Sequence, residues 1–308
     1  MCLLQQALRH SVSSFTPMKR IILFRFHRHP TICLQRLRMT HALNPHIPIY
    51  GLFGGPKREA EKMQKLLTPH LTHFFIVPSI SHALLKSSHT CKSCRTGHTI
   101  EGYWNWKNGD LLIRTWFQKI GKEIDFDMLH VMEWDLLLTR PIEELFRHIP
   151  ANSIGLTAPQ PISVIGRRWN WTTKDHKRQE FEHLMLYVQK HYNYQQHPLC
   201  CFAPGNCLPR SFLTEYSHHT IPPLSIDEVR LPLFAHIFGF PIVDTALTPV
   251  EYTSLAFSLF NTDQAEVPLS LIEKELKKGK GAPAFHPCTR KLPHSIMERI
   301  LKNVSKNR

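Results

Sequence analysis

The sequence predicts an α/β fold in which a mostly parallel central sheet is flanked by helices, a Rossmann-like arrangement. Two features of the chain predict it. Short apolar runs alternate with segments of helical periodicity from residue 19 onward, an order typical of parallel sheets. The runs are continuously apolar, as in strands that are covered on both faces. The chain has 308 residues, of which 42% are hydrophobic and 20% charged, which suits one large domain or two small ones.

Three strands and two helices are predicted in the first part of the chain. Residues 19–27 form an apolar run that predicts a buried strand. Pro30 begins a helical segment that Asn44-Pro45 ends, both being common helix-boundary signals. Strands at 47–53 and 72–77, with a helix at 58–67 between them, continue the alternation.

The periodicity predicts further elements beyond a polar, irregular stretch at 79–108. Helices are expected at 110–120, 141–146, 179–191, 227–238 and 272–280, and strands at 127–133 and 153–156. A short apolar run at 199–202 leads into a turn at Gly205. We expect a flexible N-terminal extension over residues 1–17, a single domain over 18–293 and a basic C-terminal tail over 294–308, because no linker divides the chain.

The charge balance is strongly basic. There are 38 Lys and Arg against 24 Asp and Glu, a formal net charge of +14, which favours anionic partners such as nucleic acid, acidic lipid headgroups or phosphorylated substrates. Apolar stretches fall short of the ~18 residues of a membrane span, and the N-terminus lacks the apolar centre of a signal peptide. We therefore expect a cytoplasmic protein, with peripheral contact between its basic tail and an anionic membrane as a further hypothesis. Cys91 and Cys94 form a CxxC pair, but a second pair at suitable spacing for zinc is missing.

An acidic triplet, Glu133-Trp134-Asp135, follows the predicted strand at 127–133. The carboxyl ends of strands are where open α/β sheets bind ligands. Carboxylates two residues apart point to the same side of an extended chain, so both can reach one hard divalent cation that holds a diphosphate. Most such triplets are solvated loop charges, although a tryptophan between the two acids is unusual in a loop.

Three further positions carry candidate chemistry. His286 can supply a neutral imidazole to a metal, or it can be an ordinary surface histidine. Asp227 and Glu228 open a predicted helix, where acidic side chains complement the helix dipole or one of them acts as a general base. Gly205 allows close approach of a ligand to the backbone, or it simply forms a type II turn.

The order of these motifs resembles that of the GT-A glycosyltransferases. Those enzymes carry an acidic DxD-type metal motif, a glycine-containing loop, an xED motif and a C-terminal histidine. Here the same order is EWD at 133–135, PGN at 204–206, IDE at 226–228 and FHP at 285–287. The resemblance covers roughly residues 19–290, and it departs from the family pattern at Glu133, where aspartate is usual, and in the reversed order of Asp227 and Glu228.

The resemblance implies a GT-A-like fold and a set of site residues. It assigns Mn²⁺ or Mg²⁺ to Asp135 and His286, with Glu133 assisting the metal or the ribose of the nucleotide. The catalytic base is Glu228 or Asp227, with Glu228 slightly favoured. The remaining nucleotide or donor contacts that it suggests are Arg25, His27, Asp110 and Gly205.

The function implied is metal-dependent transfer of a sugar from a UDP- or GDP-linked donor to a glycan, lipid or protein hydroxyl. A base at Glu228 or Asp227 would make the reaction inverting. A retaining enzyme could keep the same metal motif and use that carboxylate only to hold the acceptor. Two alternatives stay open: a nucleotidyltransferase on a similar fold, and a non-catalytic nucleic-acid-binding protein that uses the net charge and the pairs Trp104/Trp106 and Trp169/Trp171. Nucleic acid is disfavoured as a partner because the basic residues are scattered. Each tryptophan pair is spaced as on a strand, where it would pack in the core or stack on an acceptor sugar.

Overall fold

A seven-stranded sheet and a small two-stranded sheet organise the chain. The structure is a computed structural model, and it describes residues 17–81, 100–167, 169–248, 254–262, 265–278 and 281–306. Its strands are β1 (Arg20–Phe26), β2 (Ile49–Phe53), β3 (His73–Ile76), β4 (Met128–Glu133), β5 (Leu137–Leu138), β6 (Ile154–Pro161), β7 (Leu199–Pro209), β8 (Ile242–Asp244) and β9 (Ala284–Phe285).

The helices lie between these strands. They are α1 (Pro30–Leu43), α2 (Lys57–Leu67), α3 (Ile100–Lys107), α4 (Gly109–Lys119), α5 (Ile142–Leu145), α6 (Ile162–Ile165), α7 (Asn170–Thr173), α8 (Asp175–Tyr192), α9 (Arg210–His218), α10 (Asp227–Ile237), α11 (Ser254–Leu259), α12 (Leu269–Leu276) and α13 (His294–Lys306). Two short 3₁₀ turns lie at Thr68–His70 and Gly121–Glu123.

The large sheet is mostly parallel, as predicted. Its strand order is β3-β2-β1-β4-β7-β6-β8. Strands β1, β2, β3 and β4 pair in parallel, and so do β6 and β8, whereas β7 is antiparallel to both of its neighbours. The predicted α/β class with a mostly parallel central sheet and flanking helices is confirmed.

Local sequence signals set several boundaries. Helix α1 has Pro30 at its first position, and it ends at Asn44, whose backbone N–H donates to the carbonyls of Thr40 and His41. Helix α8 ends at Asn193, which has a left-handed φ of 51°, a conformation that asparagine tolerates better than most residues. Proline at the start of a helix and asparagine at its end are local signals of this kind, and they make such helix boundaries predictable from the sequence.

Two predicted segments differ from the structure. Residues 100–107, within the stretch predicted as irregular, form α3, so Trp104 and Trp106 lie on a helix rather than a strand. Strand β7 continues through the predicted turn at Gly205, which has a φ of +84°. The register of β7 against β6 shifts between Gly155 and Thr157, opposite the part of β7 that contains Gly205. It shifts again between Thr157 and Gln160, where Ala158 of β6 has a φ of 50°.

Buried apolar side chains form three clusters. Two are built on the large sheet and its covering helices. The third joins α1, α12 and the C-terminal segment, and it includes Ile296 and Ile300 of α13. The segment predicted as a basic tail therefore folds as a helix up to Lys306, with one side packed on the protein. The domain boundaries remain predictions, and residues 1–16 and the Cys91/Cys94 pair lie outside the described residues.

No helix within the described ranges combines the length and the apolarity that crossing a bilayer requires.

Candidate functional site

A cavity of about 340 Å³ lies at the carboxyl ends of β1 and β4. Residues from five distant segments line it, together with Trp106, Thr262 and Thr289. The five segments contribute Arg25, His27, Arg28 and His29; Glu133, Trp134 and Asp135; Ala203 and Pro204; Ile226, Asp227 and Glu228; and His286 and Pro287. All four sequence motifs, EWD, IDE, FHP and PGN through its Pro204, thus contribute residues to one cavity.

Glu133, Asp135 and His286 form the acidic and imidazole cluster of the cavity. Each offers one ligand atom, and these atoms lie within 4.8 Å of one another. Asp135 Oδ1 is 3.6 Å from His286 Nε2, which is a charge contact and too long for a hydrogen bond. The structure therefore brings together the three residues predicted as metal ligands, although they come from distant parts of the chain.

Backbone pairing near the C-terminus explains how His286 reaches the acidic triplet. Strand β9 pairs antiparallel with β5, two residues beyond Asp135, with Leu137 opposite Phe285. The backbone N–H of Cys288 also donates to the carbonyl of Asp135 at 2.8 Å. These contacts hold residues 284–288 against the segment that follows β4, so the imidazole faces the carboxylates.

The cluster fits a divalent cation. Asp135 Oδ1 is buried and has no hydrogen-bond partner among the described residues. His286 Nδ1 lies 2.6 Å from the backbone carbonyl of Asn261, so Nδ1 carries the proton and the lone pair of Nε2 faces Asp135. A backbone partner of this kind is the usual way in which proteins orient a ligating histidine. Two carboxylates and one imidazole are a donor set that suits Mg²⁺ or Mn²⁺.

The charged groups of the cluster shift one another's pKa values. Burial lowers the pKa of His286, but the carboxylate of Asp135 overcomes this, and the net pKa of the imidazole is raised. Burial works in the opposite direction on Asp135, and the imidazole brings the pKa of that carboxyl below its ordinary value. Without a bound ion, an ionised Asp135 beside a protonated His286 is thus favoured.

Arg25 connects the cluster to the second acidic motif. Its Nη2 donates to Glu133 Oε1 at 2.6 Å, and its Nη1 donates to Asp227 Oδ2 at 3.3 Å. All three side chains are buried or nearly so. Arg25 was predicted to contact the nucleotide. It does line the cavity, but the hydrogen bonds that it makes go to carboxylates, and a nucleotide contact by Arg25 remains a prediction.

Asp227 and Glu228 occupy the first turn of α10. Asp227 Oδ1 accepts the backbone N–H of Glu228 at 2.9 Å, and burial, opposed by Arg25, raises the pKa of Asp227 to about 7. Glu228 Oε1 accepts the backbone N–H of Ala203 at 3.4 Å. Burial and the neighbouring Asp227 raise the pKa of Glu228 well above its ordinary value. Helix-dipole stabilisation alone gives no reason to bury both acids in the wall of a cavity.

A basic wall faces the acidic cluster. His27 lines the cavity, as predicted for a nucleotide contact, and so do Arg28 and His29, which sequence analysis missed. The guanidinium of Arg28 lies 5.3 Å from the ring of Trp134, and the ring of His29 lies 4.9 Å from the same tryptophan. Arg28 has no carboxylate partner within 4 Å among the described residues, and its Nε is buried and unbonded. The signal for this wall was the run of three consecutive basic residues directly after β1.

Asp110 does not reach the cavity, which corrects its prediction as a nucleotide contact. It is fully buried, and Arg230 donates to both of its oxygens, at 2.5 Å and 2.8 Å. The hydroxyl of Tyr216 donates to Asp110 Oδ2 as well, at 2.5 Å. With both oxygens occupied inside the core, Asp110 stabilises the contact between α4 and α10.

Gly205 also lies outside the cavity, and its prediction as a donor or acceptor floor is corrected. A Cβ at this position would overlap the side chain of Leu247 and come within 3.3 Å of Thr157 Oγ1. Gly205 therefore faces the inside of the protein. Its neighbours Ala203 and Pro204 line the cavity in its place.

The tryptophan pairs separate in the structure. Trp106 lines the cavity, whereas Trp104 is buried in the core. Trp171 is buried too, with its ring centroid 6.4 Å from that of Trp106. Two positions apart on a helix, Trp104 and Trp106 point in different directions. Of the four tryptophans considered, Trp106 is the one that lines this cavity.

Known proteins provide only distant comparisons. No protein-family model matches the chain, and no curated protein matches it. An active-site mutant of LgtC has a TM-score of 0.45 at 12% identity, over 92% of this chain and 95% of its own. The apo form of WbbM, a bifunctional glycosyltransferase, has a TM-score of 0.42 at 12% identity, over 95% and 50%. Mouse xyloside xylosyltransferase 1 has a TM-score of 0.38 at 14% identity, over 73% and 84%. These similarities concern the fold alone.

Proposed function

We propose that this protein is a metal-dependent glycosyltransferase that moves a sugar from a UDP- or GDP-linked donor to an acceptor hydroxyl. One observation carries the proposal: two carboxylates and an imidazole meet within 4.8 Å at a cavity that a second carboxylate pair also lines. The motif order in the sequence, with its resemblance to GT-A glycosyltransferases, supports the same function.

Asp135, Glu133 and His286 would hold the cation, Mn²⁺ or Mg²⁺. A bound divalent ion supplies electrostatic stabilisation for the negative charge that develops on the leaving diphosphate. Asp135 is the strongest ligand candidate because its Oδ1 is buried without a hydrogen bond. Glu133 has one oxygen engaged by Arg25, so its other oxygen is the one that can bind the cation.

The basic wall would receive the diphosphate. Arg28 lines the cavity with its guanidinium against Trp134, and a guanidinium free of carboxylates is suited to bidentate contact with phosphate oxygens. His27 lies beside it. In this role both residues stabilise charge on the departing group as the bond to the anomeric carbon breaks.

Glu228 is the proposed general base. Its Oε1 is held by the backbone of Ala203, and its other oxygen makes no hydrogen bond to a described residue. Both oxygens of Asp227 are occupied, one by Arg25 and one by the backbone of α10. Glu228 therefore has the oxygen available to take the proton of an acceptor hydroxyl, which attacks opposite the leaving diphosphate and inverts the anomeric configuration. Asp227 is the alternative base.

Trp106 is the proposed contact for a sugar ring, because it is the tryptophan of the two pairs that lines the cavity. The acceptor class stays open between glycan, lipid and protein. The cytoplasmic location and the peripheral membrane contact that the sequence suggests remain predictions.

Hydrolysis of sugar nucleotides tests this function directly. Wild-type protein is incubated with a panel of UDP- and GDP-sugars, with and without Mn²⁺, and the released nucleotide is measured. We expect turnover of at least one donor that requires the ion and falls about 100-fold or more in Asp135→Asn. Asp125→Asn is the matched control, since its side chain is exposed and remote from the cavity. Equal turnover by Asp135→Asn and wild type, or turnover that EDTA does not change, would contradict the proposal.

A further inference from the structure

Gly109 leaves a gap through which the side chain of Arg25 passes. Gly109 is the first residue of α4, and a Cβ built there would overlap Nη1 of Arg25 and lie 2.6 Å from Oδ2 of Asp227. The glycine at this position therefore has a steric reason, which is room for a guanidinium.

The guanidinium in this gap joins two parts of the site that lie far apart in the sequence. Glu133 ends β4, and Asp227 begins α10. Arg25, near the end of β1, donates to both at 2.6 Å and 3.3 Å. Glu228 follows Asp227 directly, so the position of the proposed base depends on the same contact.

The contact of Arg25 with Glu133 also lowers the affinity of the site for a cation. Arg25 places a buried positive charge beside Glu133 and occupies one of its two oxygens. A fixed positive charge at this distance opposes the binding of a second cation. Arg25 therefore does not strengthen the cation site, whereas its two hydrogen bonds fix the geometry between Glu133 and Asp227.

We propose that Arg25 is a positioning residue, which holds the cation site in a fixed relation to the Asp227–Glu228 pair at the expense of cation affinity, and that Gly109 is retained to make room for it. The inference rests on the proposed function, because the relation that Arg25 fixes is the one between the leaving diphosphate and the base. It predicts that loss of the two Arg25 contacts raises the affinity for the cation and lowers kcat.

A double-mutant cycle with Arg25→Gln and Gly109→Ala tests this relation. Glutamine is too short to keep both contacts, and the alanine methyl displaces the guanidinium while leaving it in the protein. Mn²⁺ binding is followed by the electron paramagnetic resonance signal of the free ion, kcat by nucleotide release from the donor found above, and folding by the melting temperature. Arg20→Gln is the control: Arg20 lies at the other end of β1 and contacts His130.

In each single variant we expect Mn²⁺ affinity to rise about threefold or more, because a positive charge near the site is removed or displaced, while kcat falls about tenfold or more. The double variant should be no worse than Arg25→Gln, since Gly109 matters only while the guanidinium is present. Arg25→Lys, which keeps the charge and much of the volume, should fold as wild type does and lose kcat without a gain in affinity.

Several results would overturn the inference. Loss of Mn²⁺ affinity and kcat together would show a packing role, as would losses in the double variant that multiply those of the single variants. A wild-type kcat in Gly109→Ala would show that the room left by Gly109 is not needed for catalysis. If the wild type binds Mn²⁺ but turns over none of the donors, the proposed function fails, and the affinity half of the cycle still decides whether Arg25 opposes the cation.

Discussion

Asp135 Oδ1 lies 3.6 Å from Nε2 of His286, and the second ring nitrogen of that histidine is held by the carbonyl of Asn261. The proton on Nδ1 is thereby fixed by the backbone, and only Nε2 can change its protonation near neutral pH. Binding of a cation and binding of a proton at Nε2 are therefore mutually exclusive.

Cation affinity should fall as the pH is lowered through the pKa of His286. Because Asp135 raises that pKa above the ordinary 6.5, protons compete with the ion at higher pH than for a free imidazole, and affinity is fully present only above the raised pKa. Mn²⁺ titrations between pH 5.5 and 8.5, followed by electron paramagnetic resonance, measure this. In His286→Gln the affinity should be weaker and should lose most of the pH dependence over this range. A wild-type affinity that stays constant over this range would exclude His286 as a ligand.

Replacement of Glu228 by glutamine should lower kcat about 100-fold or more, which is the usual contribution of a general base. Asp227→Asn should cost less, because an amide oxygen can still accept from Arg25. In the wild type, kcat/KM should rise with pH as the high-pKa carboxyl of Glu228 ionises. Steady-state kinetics on the three proteins give both results. A larger loss in Asp227→Asn than in Glu228→Gln would transfer the base to Asp227.

The same carboxyl predicts a dependence of stability on pH. The pKa of Glu228 in the folded state lies well above the ordinary 4.5 of an unfolded glutamate, so above pH 4.5 the native state holds more of this proton than the unfolded state does. Its contribution to stability thus decreases as pH rises, by at most about 1.4 kcal/mol per pH unit, and it levels off above the folded pKa. Glu228→Gln lacks this titration and should lose less free energy of unfolding between pH 5 and pH 8.

Urea denaturation at both pH values checks this difference. Glu123→Gln, whose side chain is exposed, should follow the wild type. A parallel loss in Glu228→Gln and wild type would mean that Glu228 is not the buried acid that the structure describes.

Asp110→Asn should destabilise the fold without weakening nucleotide binding. Removing one partner of a buried ion pair leaves Arg230 with an uncompensated charge, at a typical cost of about 3–5 kcal/mol. Urea denaturation measures the first effect, and calorimetric titration of the folded variant with UDP and GDP in Mn²⁺ measures the second. A stable variant that has lost nucleotide affinity would restore the contact that the sequence suggested for Asp110.

Local sequence patterns were sufficient for the strands β1 to β4 and for most of the acidic site, whereas β8 was not predicted. Helix α1 was predicted with the bounds that it has, because proline and asparagine mark its ends, and the strand before Glu133 was evident from its apolar run. Helix α3 was missed because it follows a polar stretch and carries Trp104 and Trp106 at a strand-like spacing. The course of β7 was missed because a glycine between proline and asparagine is typical of a turn, whereas in the structure Gly205 lies within the strand at a φ of +84°.

Contacts between distant residues were beyond any local pattern. The ion pair of Asp110 with Arg230 and the two contacts of Arg25 depend on how α4, α10 and β1 pack together. The sequence alone does not indicate whether a charged residue will contact a substrate or another side chain. The motif order placed Glu133, Asp135, Asp227, Glu228 and His286 at one site, but it placed Asp110 and Gly205 there as well.

The pairing of β9 with β5 has a consequence for biosynthesis. The imidazole of His286 enters the cluster only when that late segment has docked against the residues after Asp135. A nascent chain on the ribosome would display both acidic side chains long before the histidine is translated. Selective capture of the ion must therefore wait until residues 284–288 have emerged, so translation products that end before them would sequester little metal.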